Sequence, residues 1–109
     1  MLNRAAVIVR PKEPYIAWAR ELDDSGLVPS VEEEQTVYLI PEFEDDDAAQ
    51  KLLAQVYAEI FEDQLFGWHT DEDAWPKRRT FAMFKDWFQI EMHSVVEDLC
   101  GYEIEDDNV

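Results

Sequence analysis

The sequence predicts an α+β fold in which a small sheet of two or three strands packs against one short and two long helices. Short β-branched apolar runs, each closed by a proline, alternate with longer segments whose apolar residues recur every three or four positions. The chain of 109 residues is also 13% aromatic, which is enough to build one core. We therefore expect a single domain over residues 1–109, with the element order β-α-β-α-α and a loose acidic tail or an edge strand at 102–109.

Two strands and one short helix are predicted in the first part of the chain. Ala5–Arg10 and Gln35–Ile40 are the apolar runs, and the nearly continuous apolar character of the second run indicates that both of its faces are covered. Pro14–Asp24 has helical periodicity, with Pro14 at the first helical position and Ser25-Gly26 after its end. A right-handed parallel crossover is the first expectation for the way the helix joins the two strands.

Two long helices are predicted in the second part. The first follows the acids Glu44–Asp47, repeats apolar pairs every four residues, and is expected to end at Gly67. The second spans Thr80–Leu99, with Thr80 as its N-cap and Gly101 beyond its C-terminus. The two should form an antiparallel hairpin. The predicted apolar face of the second helix consists of Phe81, Phe84, Phe88, Met92, Val95, Val96 and Leu99.

The charge of the chain is strongly negative and unevenly distributed. Nine basic and 26 acidic residues give a net charge of −17. Residues 31–75 hold one base and fourteen acids, whereas residues 76–85 hold four bases and no acid. Such a charge repels phosphate backbones, so direct binding to nucleic acid is not expected, and it attracts basic partners instead. A surface that only maintains solubility, or an adaptation to high salt, would have the same composition.

The segment from Phe66 to Thr80 offers two interpretations. A divalent metal site would use His69 and the acids Asp71–Asp73, but their spacing lacks the frame of an EF-hand. Alternatively, Trp68 and Trp75 anchor a loop between two helices, while the acids stay in water and the bases Lys77, Arg78 and Arg79 pair with acids. We favour the anchored loop.

Other potential sites for chemistry are weak. His93 and Glu97 have the spacing of a helical ligand pair, but the HExxH pattern is absent. Cys100 is the only cysteine and lies among acids, so it is expected to be unreactive. No phosphate-binding glycine motif or serine nucleophile motif occurs. We predict no catalytic residue, no cofactor and no metal ligand.

The sequence favours a non-enzymatic interaction module that binds a basic protein. The candidate surface combines acids with two aromatic or apolar residues that lie off the helix face: Glu42, Glu44, Asp45, Asp46, Asp47, Asp71, Glu72, Asp73, Trp87 and Ile90. Two alternatives stay open: a metal-dependent or small-molecule enzyme that uses His69 and His93, and a mimic of DNA. No apolar stretch is long enough to span a membrane and no signal-peptide pattern is present, so a cytoplasmic protein is expected, with a homodimer as one option.

Overall fold

The computed structural model describes residues 2–22 and 35–106 and confirms the α+β fold. Within these residues the strands are β1 (Ala5–Pro11), β2 (Thr36–Ile40) and β3 (Phe88–His93). The helices are α1 (Glu13–Leu22), α2 (Asp46–Trp68) and α3 (Phe81–Trp87), and a short 3-10 turn, Glu72–Ala74, lies between α2 and α3. None of the described helices combines the length and the apolar character that a membrane crossing requires.

The sheet has the strand order β2-β1-β3, and both pairings are antiparallel. Val7 in the central strand lies opposite Tyr38 on one side and Met92 on the other. The expected parallel crossover between the first two strands is therefore wrong. Strand direction depends on where the chain turns back, and the apolar pattern of a strand carries no information about it.

One face of the sheet builds the core. Ala5, Val7 and Val9 of β1 are fully buried against the helices because alternate side chains of a strand point to the same face. The largest fully buried side chains come from every layer and include Leu53, Phe61, Leu65, Phe84 and Phe88. Tyr15, Trp18, Phe61, Phe84, Trp87 and Phe88 form one network of tilted and edge-on ring contacts.

Helix α2 begins where the acids predict and ends beyond the predicted glycine. Asp45 is its N-cap, and the Asp45 carboxylate accepts a hydrogen bond from the backbone N of Ala48 at 2.8 Å. Asp46 and Asp47 occupy the first turn, where the helix dipole favours negative charge. Gly67 lies inside the helix, and His69, in an extended conformation, is the C-cap, so the assignment of Gly67 as cap is wrong.

The predicted helix Thr80–Leu99 is wrong over most of its length. Thr80 is confirmed as an N-cap, since its hydroxyl accepts a hydrogen bond from the backbone N of Met83 at 3.1 Å. The helix ends at Trp87, the backbone becomes extended at Phe88, and the chain continues as β3. Hence no hairpin of two long helices forms. The helix–strand junction also explains why Val95 and Leu99, assigned to the helix face, are 62% and 97% exposed.

The ends of two predicted elements also differ from the expectation. Helix α1 begins at Glu13, one residue before Pro14, and it buries Tyr15 and Ala19. The predicted helix end at Asp24 and the Ser25-Gly26 cap lie outside the described residues. The predicted edge strand at Tyr102–Ile104 does not form, and the third strand of the sheet is β3 instead. Gly101 follows no helix and therefore caps none.

Candidate functional site

Three indole N–H groups anchor the loop between α2 and α3. Trp75 is buried, and its Nε1 donates to the carbonyl O of His69 at 2.8 Å. Trp68 Nε1 donates to the carbonyl O of Ala19 at 3.3 Å, and Trp18 Nε1 donates to the carbonyl O of Ala74 at 3.0 Å. The Trp68 bond ties the end of α2 to α1, and the Trp18 bond ties the loop itself to α1. The interpretation of this segment as an anchored loop is confirmed.

The bases of the loop contribute unequally to its anchoring. Arg79 donates to a carboxylate oxygen of Glu62 at 3.2 Å and to the carbonyl O of Pro76 at 2.8 Å, and its guanidinium lies 5.8 Å from the ring centre of Trp75. Lys77 lies 4.0 Å from Asp73 in an exposed pair, which contributes little to stability. The Arg79 interactions therefore fix the loop against α2.

The two histidines lie in different surroundings. His69 caps α2 and lines a shallow depression with Leu22, Gly67 and Trp68. His93 is the last residue of β3, and its Nε2 lies 3.4 Å from a carboxylate oxygen of Glu91. Hydrogen bonds from His93 and then Arg10 hold the pKa of the Glu91 carboxyl below its usual range. Among the described residues, no group of three or more His, Cys, Asp or Glu side chains is arranged to hold a metal ion.

The predicted acid clusters lie at opposite ends of α2. Glu42, Glu44 and Asp45–Asp47 lead into its N-terminus, and Asp71–Asp73 follow its C-terminus. A helix of 23 residues separates them by about 34 Å. All these side chains are exposed, so the acids are spread along the molecule. The cluster Glu32–Glu34 lies outside the described residues.

The two apolar residues of the predicted interaction surface, Trp87 and Ile90, are half-buried in the fold. Trp87 is half-buried, and its ring lies 5.6 Å from that of Phe61 and 6.2 Å from that of Trp18. Ile90 is half-buried on the inner face of β3 because that segment is a strand. The exposed large apolar residues lie elsewhere and were not predicted as a surface: Val37, Leu39, Phe66, Val95, Leu99, Tyr102 and Ile104.

An open groove, the β2 groove, runs between strand β2 and helix α2. It has a volume of about 460 Å³. From β2 and the residue after it come Tyr38, Leu39, Ile40 and Pro41, and from α2 come Val56, Glu59, Ile60 and Asp63. The four helix residues fall on one stripe because they are spaced three and four apart. The groove therefore combines aliphatic walls with two carboxylates from one helix.

Tyr38 fixes the polar end of this groove. Its hydroxyl donates to the carboxylate of Asp63 and accepts from Gln64 Nε2 at 2.8 Å. Gln64 Nε2 also donates to the hydroxyl of Thr36 at 2.9 Å. Burial, and then the hydrogen bond to Asp63, raise the pKa of Tyr38 well above its usual range. The phenol is therefore a permanent donor that holds Asp63 at the mouth of the groove.

Among the described residues, one edge of strand β2 is unpaired beside the groove. It pairs with β1 on one side, and no strand within residues 2–22 and 35–106 pairs with its other side. Val37 and Leu39 are 60% and 47% exposed and share the outer face of the sheet with Ile8 and Ala6. The expectation that both faces of this strand are covered is therefore wrong. Edge strands usually carry charges or prolines that prevent pairing with another chain, and Thr36–Ile40 contains neither.

Comparisons of the chain with protein families, curated proteins and solved structures give no match.

Proposed function

We propose that this protein is a non-enzymatic binding module that takes up an extended, basic segment of a partner protein along the outer edge of β2. The segment would add a strand to the sheet and place an apolar side chain in the β2 groove. The observation that carries the proposal is the coincidence of an unprotected edge strand with a groove that has aliphatic walls and carboxylates. Strand addition supplies affinity through main-chain hydrogen bonds, while pockets for alternate side chains supply specificity.

Charge supports a basic occupant. Glu59 and Asp63 are both exposed at the groove, and of the described side chains that line it none is basic. The net charge of −17 adds a long-range attraction that speeds encounter with a cationic segment and disfavours phosphate backbones. We therefore propose a protein partner and not a nucleic acid, and we place the module in the cytoplasm, where a chain with one cysteine needs no disulfide.

A titration followed by NMR tests the proposal directly. The probe is a short peptide in which Val and Leu alternate with Lys and Arg, added to the full chain labelled with nitrogen-15. We expect the backbone amides of β2 and of Val56–Asp63 to shift, because these segments line the groove. The binding should weaken as salt is added, since exposed charges are screened. A peptide with Glu in place of Lys and Arg is the control and should not bind.

A matched pair of variants locates the interaction. Glu59→Lys reverses a charge inside the groove and is expected to weaken peptide binding by about tenfold at low salt. Glu72→Lys makes the same change in the 3-10 turn, beyond the C-terminus of α2, and should leave binding close to that of the unchanged protein. Equal losses in the two variants, or amide shifts away from β2, would contradict the proposed site.

A further inference from the structure

A second groove, the β3 groove, lies on the other flank of α2 and has the opposite charge. Its volume is about 350 Å³, and its apolar lining includes Leu53 of α2 with Phe88 and Ile90 of β3. Lys12 and Lys85 also line it, with glutamines as the other polar side chains. Of the described residues that line this groove, none carries a carboxylate.

Each of the two lysine ammonium groups lies beside an uncharged neighbour. Lys12 Nζ donates to the carbonyl O of Lys85 at 3.3 Å, and Lys85 Nζ lies 4.6 Å from the ring centre of Phe81. Neither ammonium group forms a salt bridge within the described residues. In a chain of net charge −17, a pair of cations without carboxylate partners is a local site for an anionic group.

The C-terminal tail, residues 94–106, has the complementary chemistry. It contains five acids and no base. Three of its large apolar side chains are far more exposed than a folded chain usually leaves them: Leu99 at 97%, Tyr102 at 78% and Ile104 at 68%. An acidic segment that exposes aliphatic and aromatic groups matches a basic groove with an apolar floor.

The tail starts at the end of the sheet that lies opposite the two lysines. The backbone N of Leu2 donates to the carbonyl O of Val96 at 2.8 Å, which holds the beginning of the tail beside the start of β1. The lysines lie at the other end of β1, where Pro11 pairs with Phe88 and the backbone N of Lys12 donates to the carbonyl O of Trp87. We propose that the tail of one copy docks in the β3 groove of a second copy, and that two such contacts close a symmetric dimer.

Sedimentation velocity and native mass spectrometry of the full chain over a dilution series test the proposal. We expect a dimer whose dissociation constant rises by about tenfold or more at low salt in the double variant Lys12→Glu with Lys85→Glu, because the two carboxylates that replace the lysines then repel the acidic tail. Lys51→Glu, on the exposed side of α2, makes the same kind of change outside the groove and should leave the dimer unchanged.

Cross-linking distinguishes a second copy from other occupants. Cys100 is the only cysteine and is exposed, so a photo-reactive maleimide placed on it labels the tail alone. In a mixture of light and isotope-labelled chains, we expect mixed cross-links from Cys100 to Gln50 or Gln89 at the groove. A monomer at every concentration, cross-links confined to single chains, or a dimer that resists the lysine variants would overturn the proposal. None of these outcomes bears on peptide binding at β2.

Discussion

The two flanks of helix α2 carry grooves of similar size and opposite charge. The β2 groove has Glu59 and Asp63 on its helix side, whereas the β3 groove has Lys12 and Lys85. Both have apolar side chains in their linings and both lie beside an edge strand of the same sheet. The difference shows that a net charge of −17 does not describe the local charge at each groove. The asymmetry arises from the strand order, because β1 has β2 on one side and β3 on the other, and the two strands carry different side chains.

The largest expected effect comes from removing the floor of the β3 groove. Phe88 is 1% exposed and contacts the rings of Tyr15, Phe61 and Phe84. Phe88→Ala should lower the free energy of unfolding by about 3–5 kcal/mol, because it leaves a large cavity at the junction of α3 and β3. Urea denaturation measures the loss.

Phe66→Ala is the matched control, since Phe66 is 57% exposed. That variant should lose less than about 1 kcal/mol, as expected for a surface substitution. Similar losses in the two variants would show that Phe88 does not hold the β3 flank together.

The floor of the β2 groove should tolerate truncation better. Ile60 is 4% exposed, but it lies at an open groove into which water and neighbouring side chains can relax. Ile60→Ala should therefore lower the free energy of unfolding by an amount near the lower end of the usual range of about 2–5 kcal/mol. The same variant should reduce binding of the basic peptide, because it removes part of the apolar wall of the β2 groove. The NMR titration measures that change. A loss of stability larger than that of Phe88→Ala would reverse the ranking of the two flanks.

The residues that build the two flanks differ in how well the sequence predicts them. Helix α2 and strands β1 and β2 follow from apolar periodicity and from the acids at the start of the helix. Strand β3 was missed because Phe84, Phe88 and Met92 are spaced by four, which fits one helix face but is also an even number of strand steps. Ile90 is the residue that separates the two interpretations. It points away from Phe88 in a helix and lies on the same face in a strand.

The β2 groove could not be predicted for a different reason. Its walls come from β2 and from a stripe of α2, and only the packing of those elements brings Tyr38 to Asp63. The acids chosen from the sequence, such as Asp71–Asp73, stand out as clusters along the chain, whereas Glu59 and Asp63 become neighbours only through helical spacing. The exposure of Val37 and Leu39 depends on which face of the sheet the helices cover, and that is a property of the whole fold.

The hydroxyl of Tyr38 should make a smaller contribution to the β2 flank. Tyr38→Phe removes the hydrogen bonds of the Tyr38 hydroxyl with Asp63 and Gln64, so the free energy of unfolding should fall by about 0.5–1.5 kcal/mol near neutral pH. Tyr102→Phe, at an exposed position, is the control and should change stability little.

The pH dependence of Tyr38→Phe sharpens this prediction. Folding raises the pKa of Tyr38. The stability that its hydroxyl contributes is therefore fully present below the unfolded-state pKa of about 10 and is lost as the pH rises further. The difference in stability between the unchanged protein and Tyr38→Phe should therefore shrink above pH ~10. A difference that stays constant across alkaline pH would contradict the role of the buried phenol.

The smallest expected effect on stability belongs to the variant that is most informative about β2. Val37 is 60% exposed on the outer face of the edge strand, so Val37→Lys should change the free energy of unfolding by no more than about 0.5 kcal/mol. A lysine is nevertheless a residue that prevents strand addition, and here it also repels a basic peptide. Val37→Thr keeps the branched side chain without the charge and should still bind. If Val37→Lys binds as well as Val37→Thr, the peptide does not add to this edge, and the acidic groove would have to act without the strand beside it.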